Sequence, residues 1–350
     1  MSSNTKTTAI VVIIVLIVAI GAGIVFLGPM LFPAPTNVAI VFATGGLGDK
    51  SFNDAAYEGA QQAKTELGWD FTYVEPTEIS EYEGYLRDYA NPESGDTYEL
   101  IISIGFDQAE ALNKTAQDYP NQRFAIVDMV VDQPNISSLV FSASEGSALV
   151  GAIAGMYTET NHIGFLGGMD IPLINEFAAG YLWGANYTNE GIDYSVSYVG
   201  DWADTTAGQN LANGMYTDGA DIIFAAAGRS GLGAFTAAKD NGTDHGTYVI
   251  GVDSPQMYLG CEDPENPEPP TACITSMLKR VDVAVYETIK DVYNDDFQPG
   301  IRVWNLANGG VGYETNEELL TLPDDIITEV EDLKQKIIDG DVTVPTSKYW

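Results

Sequence analysis

From residue 37 onward the chain alternates short apolar runs with amphipathic stretches, and this alternation limits the possible folds more than any other feature. Seven runs read as strands: VAIVFA (38–43), LIISIG (100–105), FAIVDMV (124–130), IGFLGG (163–168), VSYVG (196–200), DIIFAAA (221–227) and YVIGVD (248–253). Near-continuous apolar runs of this length are typical of parallel strands that are covered on both faces. The pattern predicts an α/β protein with parallel sheets.

The length of the chain indicates more than one lobe. Its 350 residues exceed what a single hydrophobic core organises, and the strands are too many for one small α/β unit. Helical segments such as 54–67 and 107–119 lie between the strands, and another follows at 323–340. We therefore expect two doubly wound lobes that face one cleft, with ligands at the carboxyl ends of the strands.

The charge of the chain excludes several classes of partner. There are 50 Asp and Glu against 15 Lys and Arg, which gives a formal net charge of −35. Such a surface repels phosphate backbones and anionic lipid headgroups, so binding of nucleic acid is not expected. Two His and two Cys leave too few ligands for a His/Cys metal site. We predict no metal, no cofactor and no catalytic residues, because no nucleophile or general acid stands out.

An uncharged apolar run covers residues 9–27 and would span about 28 Å as a helix, close to the thickness of a bilayer core. We expect residues 1–8 in the cytoplasm, a transmembrane anchor at 9–28 and a Pro-rich spacer at 29–36, with the rest of the protein outside the cell membrane. A cleaved signal peptide is the alternative, although its apolar region is usually shorter. Pilin-like processing near Lys6, which keeps the helix, is a third interpretation.

Two other features agree with a location outside the cytoplasm. Cys261 and Cys273 bracket a Pro-rich acidic segment, which we predict to be closed by a disulfide; two free buried thiols are the alternative. Four sequons are candidates for glycosylation: Asn113, Asn135, Asn186 and Asn241.

Polar and aromatic residues follow several of the predicted strands, where an α/β protein holds its ligand. Asp128, Trp202, Gly228 and Asp253 each lie in or just after such a strand. An aromatic pair can sandwich a planar base, and carboxylates can bind sugar hydroxyls. The alternative for each aspartate is a turn or a helix cap, and for Trp202 it is a place in the core.

The first strand leads into a glycine-rich loop, ATGGLGDKSFND (43–54). A P-loop requires Gly immediately before its Lys, but here Asp49 occupies that position, and its carboxylate would repel phosphate. The loop therefore argues against a nucleoside triphosphatase. Phe52 and Asn53, at the turn into the next helix, are candidates for the cleft. Alternatively, Asn53 caps that helix and Phe52 packs beneath it.

Five longer strings run in one order through nearly all of residues 37–315: GGLGDKSFNDAAYEG (45–59), HIGFLGGMDIPLINEFAAGY (162–181), DIIFAAAGRSGLGAFTAAK (221–239), YVIGVDSPQ (248–256) and TSMLKRVDVAVYE (275–287). Together they resemble the basic membrane protein family of ABC-transporter substrate-binding proteins, whose characterised members bind purine nucleosides. The pairing of GGLGDKSFN with GFLGGMDIP is far more specific than a lone glycine motif.

The resemblance implies a type I periplasmic-binding-protein fold, in which two α/β lobes are joined by a hinge of three crossovers. The N-lobe would comprise residues 37–143 and 280–301, and the C-lobe residues 144–279 and 302–345. The protein would close over a nucleoside and deliver it to the permease and ATPase of an ABC importer. The alternatives are a surface receptor of the same fold without transport, an enzyme acting on nucleosides, and another ligand such as a sugar or small amide.

The resemblance also implies roles in binding the base. Phe52 corresponds to an aromatic residue on one face of the base, with Asn53 beside it as a polar contact. Trp202 lies where the family places a second stacking aromatic, usually Phe. Asp128 corresponds to a carboxylate of the pocket.

For the sugar, Gly228, Asp253 and Lys279 correspond to the family's ribose-binding set. The sequence also departs from the family pattern. Ala43 stands where the family commonly has an Asp that contacts the base, which leaves purine selectivity open. Asn175 and Glu176 stand where a basic residue often follows GGMDIP, and the apolar helix replaces the usual lipid anchor.

Overall fold

The computed structural model describes residues 36–91, 93, 97–243 and 246–350. The strands among these residues are β1 (Thr36–Val41), β2 (Asp70–Val74), β3 (Leu100–Ile104), β4 (Phe124–Val127), β5 (Ile136–Phe141), β6 (His162–Gly167), β7 (Asp193–Tyr198), β8 (Ile222–Ala226), β9 (Tyr248–Asp253), β10 (Cys273–Lys279), β11 (Gly300–Trp304) and β12 (Val311–Tyr313).

The strands form two six-stranded sheets. The first has the order β11-β5-β4-β3-β1-β2 and the second the order β12-β10-β9-β8-β6-β7. Neighbouring strands pair in parallel, except that β12 pairs antiparallel with β10 at the edge of the second sheet. The prediction of an α/β protein with two parallel sheets is confirmed.

Helices cover these sheets. In the described part of the chain they are α1 (Phe52–Leu67), α2 (Tyr82–Ala90), α3 (Ala109–Asp118), α4 (Ala143–Tyr157), α5 (Pro172–Thr188), α6 (Thr205–Thr217), α7 (Leu232–Asn241), α8 (Val281–Tyr293) and α9 (Asp324–Ile338). Because helices lie on both faces, the central strands are buried throughout; β3 and β8 are buried at every residue. This burial explains their continuous apolar sequences.

Each predicted run overlaps a strand, and five further strands (β2, β5, β10, β11 and β12) lie outside those runs. Two of the five are edge strands of the first sheet, β2 and β11, and their side chains are half-buried or exposed. The side chains of such an edge strand are less completely covered than those of a central strand. Its sequence therefore has no continuous apolar run, and the hydrophobic pattern predicts it less clearly.

The chain crosses between the sheets three times. It leaves the first sheet after β5, returns after β10 through α8, which packs on α1 and leads to β11, and leaves again for β12. The last crossing follows Trp304, beyond the predicted boundary at residue 301. The carboxyl ends of β1, β3 and β4 thereby meet those of the second sheet across a cleft.

The predicted disulfide is wrong: Cys261 and Cys273 are free, buried thiols. The Sγ of Cys273 donates to the carbonyl oxygen of Thr275 at 3.2 Å. The two ends of the Pro-rich segment are instead joined by a main-chain hydrogen bond, in which the Ala272 N–H donates to the Gly260 carbonyl oxygen at 2.9 Å. Burial raises the pKa of both thiols. They therefore pack as small apolar groups rather than as reactive cysteines.

Asn135 is unsuited to glycosylation. The residue is 8% exposed, and its Nδ2 donates to three main-chain carbonyl oxygens, so the amide is unavailable in the folded protein. Asn186 is exposed, and Asn113 and Asn241 are partly exposed; for these three, modification remains a prediction.

The predicted cytoplasmic segment 1–8, the anchor 9–28 and the spacer 29–36 lie outside the described residues, apart from Thr36, where β1 begins. In the part of the chain that the structure describes, no helix has both the length and the apolar character needed to cross a bilayer.

Candidate functional site

One pocket lies between the carboxyl ends of the two sheets. About 690 Å³ of space, part of it open to solvent, lies among its lining residues. All seven residues predicted to bind the ligand line it: Phe52, Asn53, Asp128, Trp202, Gly228, Asp253 and Lys279. The strand ends account for this convergence, because Asp128 follows β4 while Asp253 and Lys279 end β9 and β10.

A buried ion pair joins the two lobes inside the pocket. The Nζ of Lys279 contacts Oδ2 of Asp128, and the two side chains are 2% and 4% exposed. The ammonium also lies over three aromatic rings, 4.8 Å from the centroid of Phe52, 5.1 Å from that of Phe141 and 5.6 Å from that of Phe177. The carboxylate and the rings compensate a cation that is removed from water.

Asp128 and Asp253 share an unusual backbone conformation. Their φ angles are +68° and +66°, in the left-handed region that residues other than Gly rarely adopt. Asp is one of the few residues that tolerate it. Strained positions of this kind cluster at binding sites, and here each turns the chain at the end of a strand that borders the cleft.

The carboxyl group of Asp253 lies in an environment that disfavours its charge. Burial raises its pKa to about 6, although the nearby Lys279 ammonium and a hydrogen bond from the Ser51 hydroxyl act in the opposite direction. Asp128 and Asp49 add to the increase. The charge of the Asp253 carboxyl therefore changes in a pH range around 6.

Asp49 closes the glycine-rich loop on itself. Its carboxylate accepts hydrogen bonds from the main-chain N–H groups of Ser51 at 2.9 Å, Asn53 at 2.8 Å and Asp54 at 3.2 Å. Burial raises the pKa of this carboxyl, and these N–H groups partly oppose the effect. The N-terminus of α1, where a P-loop would hold phosphate, is thus occupied by a carboxylate of the chain itself.

Asn53 lines the pocket, but its side chain is already bonded within the protein. Its Oδ1 accepts from the Ala43 N–H at 3.1 Å, and its Nδ2 donates to Oδ2 of Asp49 at 3.2 Å. It does not cap α1, because it is the second residue of that helix. Asn53 therefore ties the end of β1 to the start of α1 and keeps Phe52, its neighbour, at the pocket wall.

Trp202 lies on the opposite lobe from Phe52. Its ring packs against Gly168, where a Cβ atom would come within 2.3 Å of the indole Cζ3, and near Gly228, where a Cβ would be 3.8 Å from Cε3. Any side chain at position 168 would collide with the indole and displace it. The third glycine of GFLGGMDIP, Gly168, is therefore the surface on which the indole rests.

Side chains also bridge the mouth of the cleft. Arg229 of the second lobe donates to the Leu47 carbonyl of the glycine-rich loop, and the Nε2 of Gln256 donates to the Lys50 carbonyl at 2.7 Å. Ser51 reaches Asp253 in the same region. The two lobes are thus in contact on both sides of the glycine-rich loop.

Several pocket residues lie outside the sequence prediction, among them Phe106, Asp107, Phe177 and Arg229. Phe106 and Asp107 follow β3 directly, so the same rule of strand ends would have found them. Phe177 lies within α5, and its helical position gives no such signal. Burial raises the pKa of Asp107, against a hydrogen bond from Tyr82.

The described residues contain no group of three or more His, Cys, Asp or Glu side chains arranged to hold a metal ion. The pocket walls are instead largely apolar, with a few convergent carboxylates and two cations, Lys279 and Arg229. Such a lining binds and orients a small molecule.

A protein-family model and several known proteins match this chain over most of its length. The model described as "ABC transporter substrate-binding protein PnrA-like" matches residues 36–348. A relative from Lactococcus lactis, "ABC transporter nucleoside-binding protein BmpA", is 34% identical over 322 residues, with 89% of each chain covered. Basic membrane protein A of Borreliella burgdorferi is 34% identical over 310 residues, which cover 87% of this chain and 86% of that relative.

Solved structures agree on the fold. A solute-binding protein of an ABC transporter system from Aeropyrum pernix K1 superposes with a TM-score of 0.79 at 32% identity, covering 90% of this chain and 94% of that one. A LacI-family regulator from Enterococcus faecium with bound ribose reaches a TM-score of 0.58 at 11% identity, covering 82% of this chain and all of that one, which supports the fold alone.

The matched family and the relatives from Lactococcus lactis and Aeropyrum pernix K1 are substrate-binding or solute-binding proteins and not enzymes, and the substrate-binding proteins of ABC transporters work with a permease and an ATPase. The expected type I periplasmic-binding-protein fold agrees with the two parallel-sheet lobes and with the solute-binding neighbour. The chain therefore belongs to the PnrA-like family of ABC transporter substrate-binding proteins.

Proposed function

We propose that this substrate-binding protein binds a nucleoside, with a purine as its base, in the pocket between the lobes. The observation that carries the proposal is the pairing of Phe52 and Trp202 on opposite walls of one pocket with the buried Asp128, Asp253 and Lys279. Two flat apolar surfaces suit a planar base, and carboxylates beside an ammonium suit the hydroxyls of a sugar. The name of the relative from Lactococcus lactis, a nucleoside-binding protein, supports the same ligand class.

The charges of the lining favour a neutral ligand. Asp49, Asp107, Asp128 and Asp253 face only two cations, and Lys279 is already paired with Asp128. A phosphate group would add negative charge to a site with a surplus of carboxylates and no free N-terminus of α1 to receive it. We therefore expect nucleosides to bind and nucleotides to be rejected.

In the proposed mechanism, the base stacks on Phe52 in the open state, and closure brings Trp202 onto its other face. Asp253, Lys279 and the main chain at Gly228 then bind the ribose. We further propose that the lobes lie outside the cell membrane, held by the N-terminal helix, and that the closed form is recognised by an ABC permease with its ATPase.

Isothermal titration calorimetry tests the ligand class directly. We expect binding of adenosine or guanosine, weaker binding of free adenine and of ribose, and no binding of AMP under the same conditions. Ribose binding that equals nucleoside binding would instead indicate a sugar-binding protein.

Replacement of Trp202 by Ala tests the stacking. Because stacking of a base on an aromatic side chain contributes about 1–3 kcal/mol, the nucleoside dissociation constant should rise by about 5-fold to 150-fold. Trp183→Ala is the matched control, since Trp183 pairs with Tyr187 on α5 and does not line the pocket. Unchanged affinity in Trp202→Ala would show that the indole does not stack on the ligand.

A further inference from the structure

Three polar atoms of pocket residues are buried without a hydrogen-bond partner in the protein. They are Oδ1 of Asp107, Oδ1 of Asp128 and Nε of Arg229. A buried polar group without a partner is costly and rare. In a binding site, such an atom indicates a partner that the ligand supplies. Asp128 and Arg229 bond across the cleft to the opposite lobe through their other atoms. Asp107 has no such bond across the cleft, and its side chain is held by Tyr82 of its own lobe.

The orientation of Asp107 is set by Tyr82. The Tyr82 ring is fully buried, and its hydroxyl oxygen accepts a hydrogen bond from the Thr44 N–H at 3.0 Å. The hydroxyl proton is then directed to Oδ2 of Asp107 at 3.1 Å. Since Oδ2 has this donor, the carboxylate keeps one oxygen, Oδ1, for another partner.

Gly105 shows what lies near that oxygen. A Cβ atom built on Gly105 would be 3.1 Å from Oδ1 of Asp107, 3.3 Å from Cβ of Ala43 and 3.9 Å from Cε1 of Phe52. The unpaired oxygen, the methyl group of Ala43 and the edge of the Phe52 ring therefore surround one small space. A flat ligand that lies on Phe52 has its own edge in this region.

We infer that Asp107 is a specificity-determining residue, whose Oδ1 accepts a hydrogen bond from an N–H group on the edge of the base. The inference rests on the proposed function and extends it to the chemistry of the base. The preferred ligands are purine nucleosides with an exocyclic amine or a ring N–H, as in adenosine and guanosine. A base without such a donor would leave the buried carboxylate oxygen unpaired, which a binding site discriminates against strongly.

The test compares nucleosides that differ in this donor. Purine riboside has the ring system of adenosine without the amine and without a ring N–H. We expect the wild-type protein to bind the better of adenosine and guanosine at least tenfold more tightly than purine riboside in calorimetry. Asp107→Ala should reduce this ratio to less than about threefold, because adenosine and guanosine lose a hydrogen bond while purine riboside no longer leaves a buried carboxylate oxygen unpaired.

A second substitution provides rescue. Ala43 borders the same space, so Asp107→Ala combined with Ala43→Asp restores a carboxylate beside the Phe52 edge, and the preference for adenosine or guanosine should return. Asp107→Asn covers the case in which the Ala variant does not fold. Its amide oxygen still accepts from Tyr82, but its NH₂ group then meets the donor of the base, so the preference should again be lost.

The outcomes separate the two proposals. If the wild-type protein binds nucleosides without preferring those that carry an N–H donor, or if Asp107→Ala and Asp107→Asn keep the preference, the role of Asp107 is overturned and nucleoside binding stands. If the wild-type protein binds none of the three nucleosides, both proposals are overturned.

Discussion

Among single residues, Asp253 has a direct consequence for pH dependence. Burial raises its pKa to about 6, so the folded protein holds this proton more tightly than the unfolded chain does. Its contribution to stability is then fully present below about pH 4, the unfolded pKa, and is lost as the pH rises through about 6. At neutral pH the carboxylate of Asp253 is charged in a buried environment, which lowers the free energy of unfolding.

We therefore expect the free energy of unfolding of the wild-type protein, relative to Asp253→Asn, to decrease by on the order of 2 kcal/mol between pH 4 and pH 7. Urea unfolding of both proteins without ligand, at several pH values, measures this difference, and other titrating groups cancel in the comparison. A difference that stays constant over this range would contradict the raised pKa.

Among the elements, the contact between α4 and α5 is unusually close. A Cβ atom on Gly184 of α5 would lie 2.0 Å from the carbonyl oxygen of Ala148 on α4, so the two helix backbones touch. Because neither helix can move without disturbing the second sheet, Gly184→Ala should lower the free energy of unfolding by about 1–3 kcal/mol.

Gly84→Ala in α2 is the matched control. Gly84 is exposed and a Cβ atom there meets nothing within 4 Å, so the alanine should stabilise the helix by about 0.5–1 kcal/mol. Thermal and urea unfolding distinguish the two effects. Equal stability changes of the same sign would mean that helix propensity, rather than the contact, decides the result.

The elements also show how far sequence reasoning extends. Strands such as β3 and β8 are covered on both faces, so their apolar runs predict them directly; β2 and β11 lie at edges and depend on neighbours that are distant in the sequence.

The seven predicted pocket residues come together because strand ends of parallel sheets share an edge. Phe177 was missed because a helical aromatic more often belongs to the core. The spacing of Cys261 and Cys273 carries no information on side-chain direction, and there the prediction was wrong.

For the whole molecule, the surplus of negative charge makes stability depend on salt. Of the 15 basic residues, most of those in the described chain lie in ion pairs with a carboxylate. Most of the 50 acidic residues therefore have their charge balanced by dissolved cations rather than by the protein. Their mutual repulsion opposes the compact state at low ionic strength.

We expect the melting temperature to rise by several degrees when NaCl is increased from low to molar concentration, since a Debye length of about 30 Å at 0.01 M falls to about 3 Å at 1 M. For a protein of this size about 2–4 °C corresponds to 1 kcal/mol. Calorimetric scans in NaCl and in sucrose of equal osmolarity separate charge screening from preferential exclusion. A melting temperature that is flat or falls with NaCl would show that repulsion is unimportant.

The three crossings between the lobes also determine the order in which the sheets are completed during synthesis. The first sheet gains β1 to β5 from one continuous stretch, but its outer strand β11 emerges only after the whole of β6 to β10 has been made. Until then β5 presents an open edge with unpaired main-chain groups. In the second sheet, the edge of β10 likewise stays unpaired until β12 has been made. The last two strands to leave the ribosome are thus the two that protect these edges, so a nascent chain that stops near residue 290 would carry both edges open to aggregation.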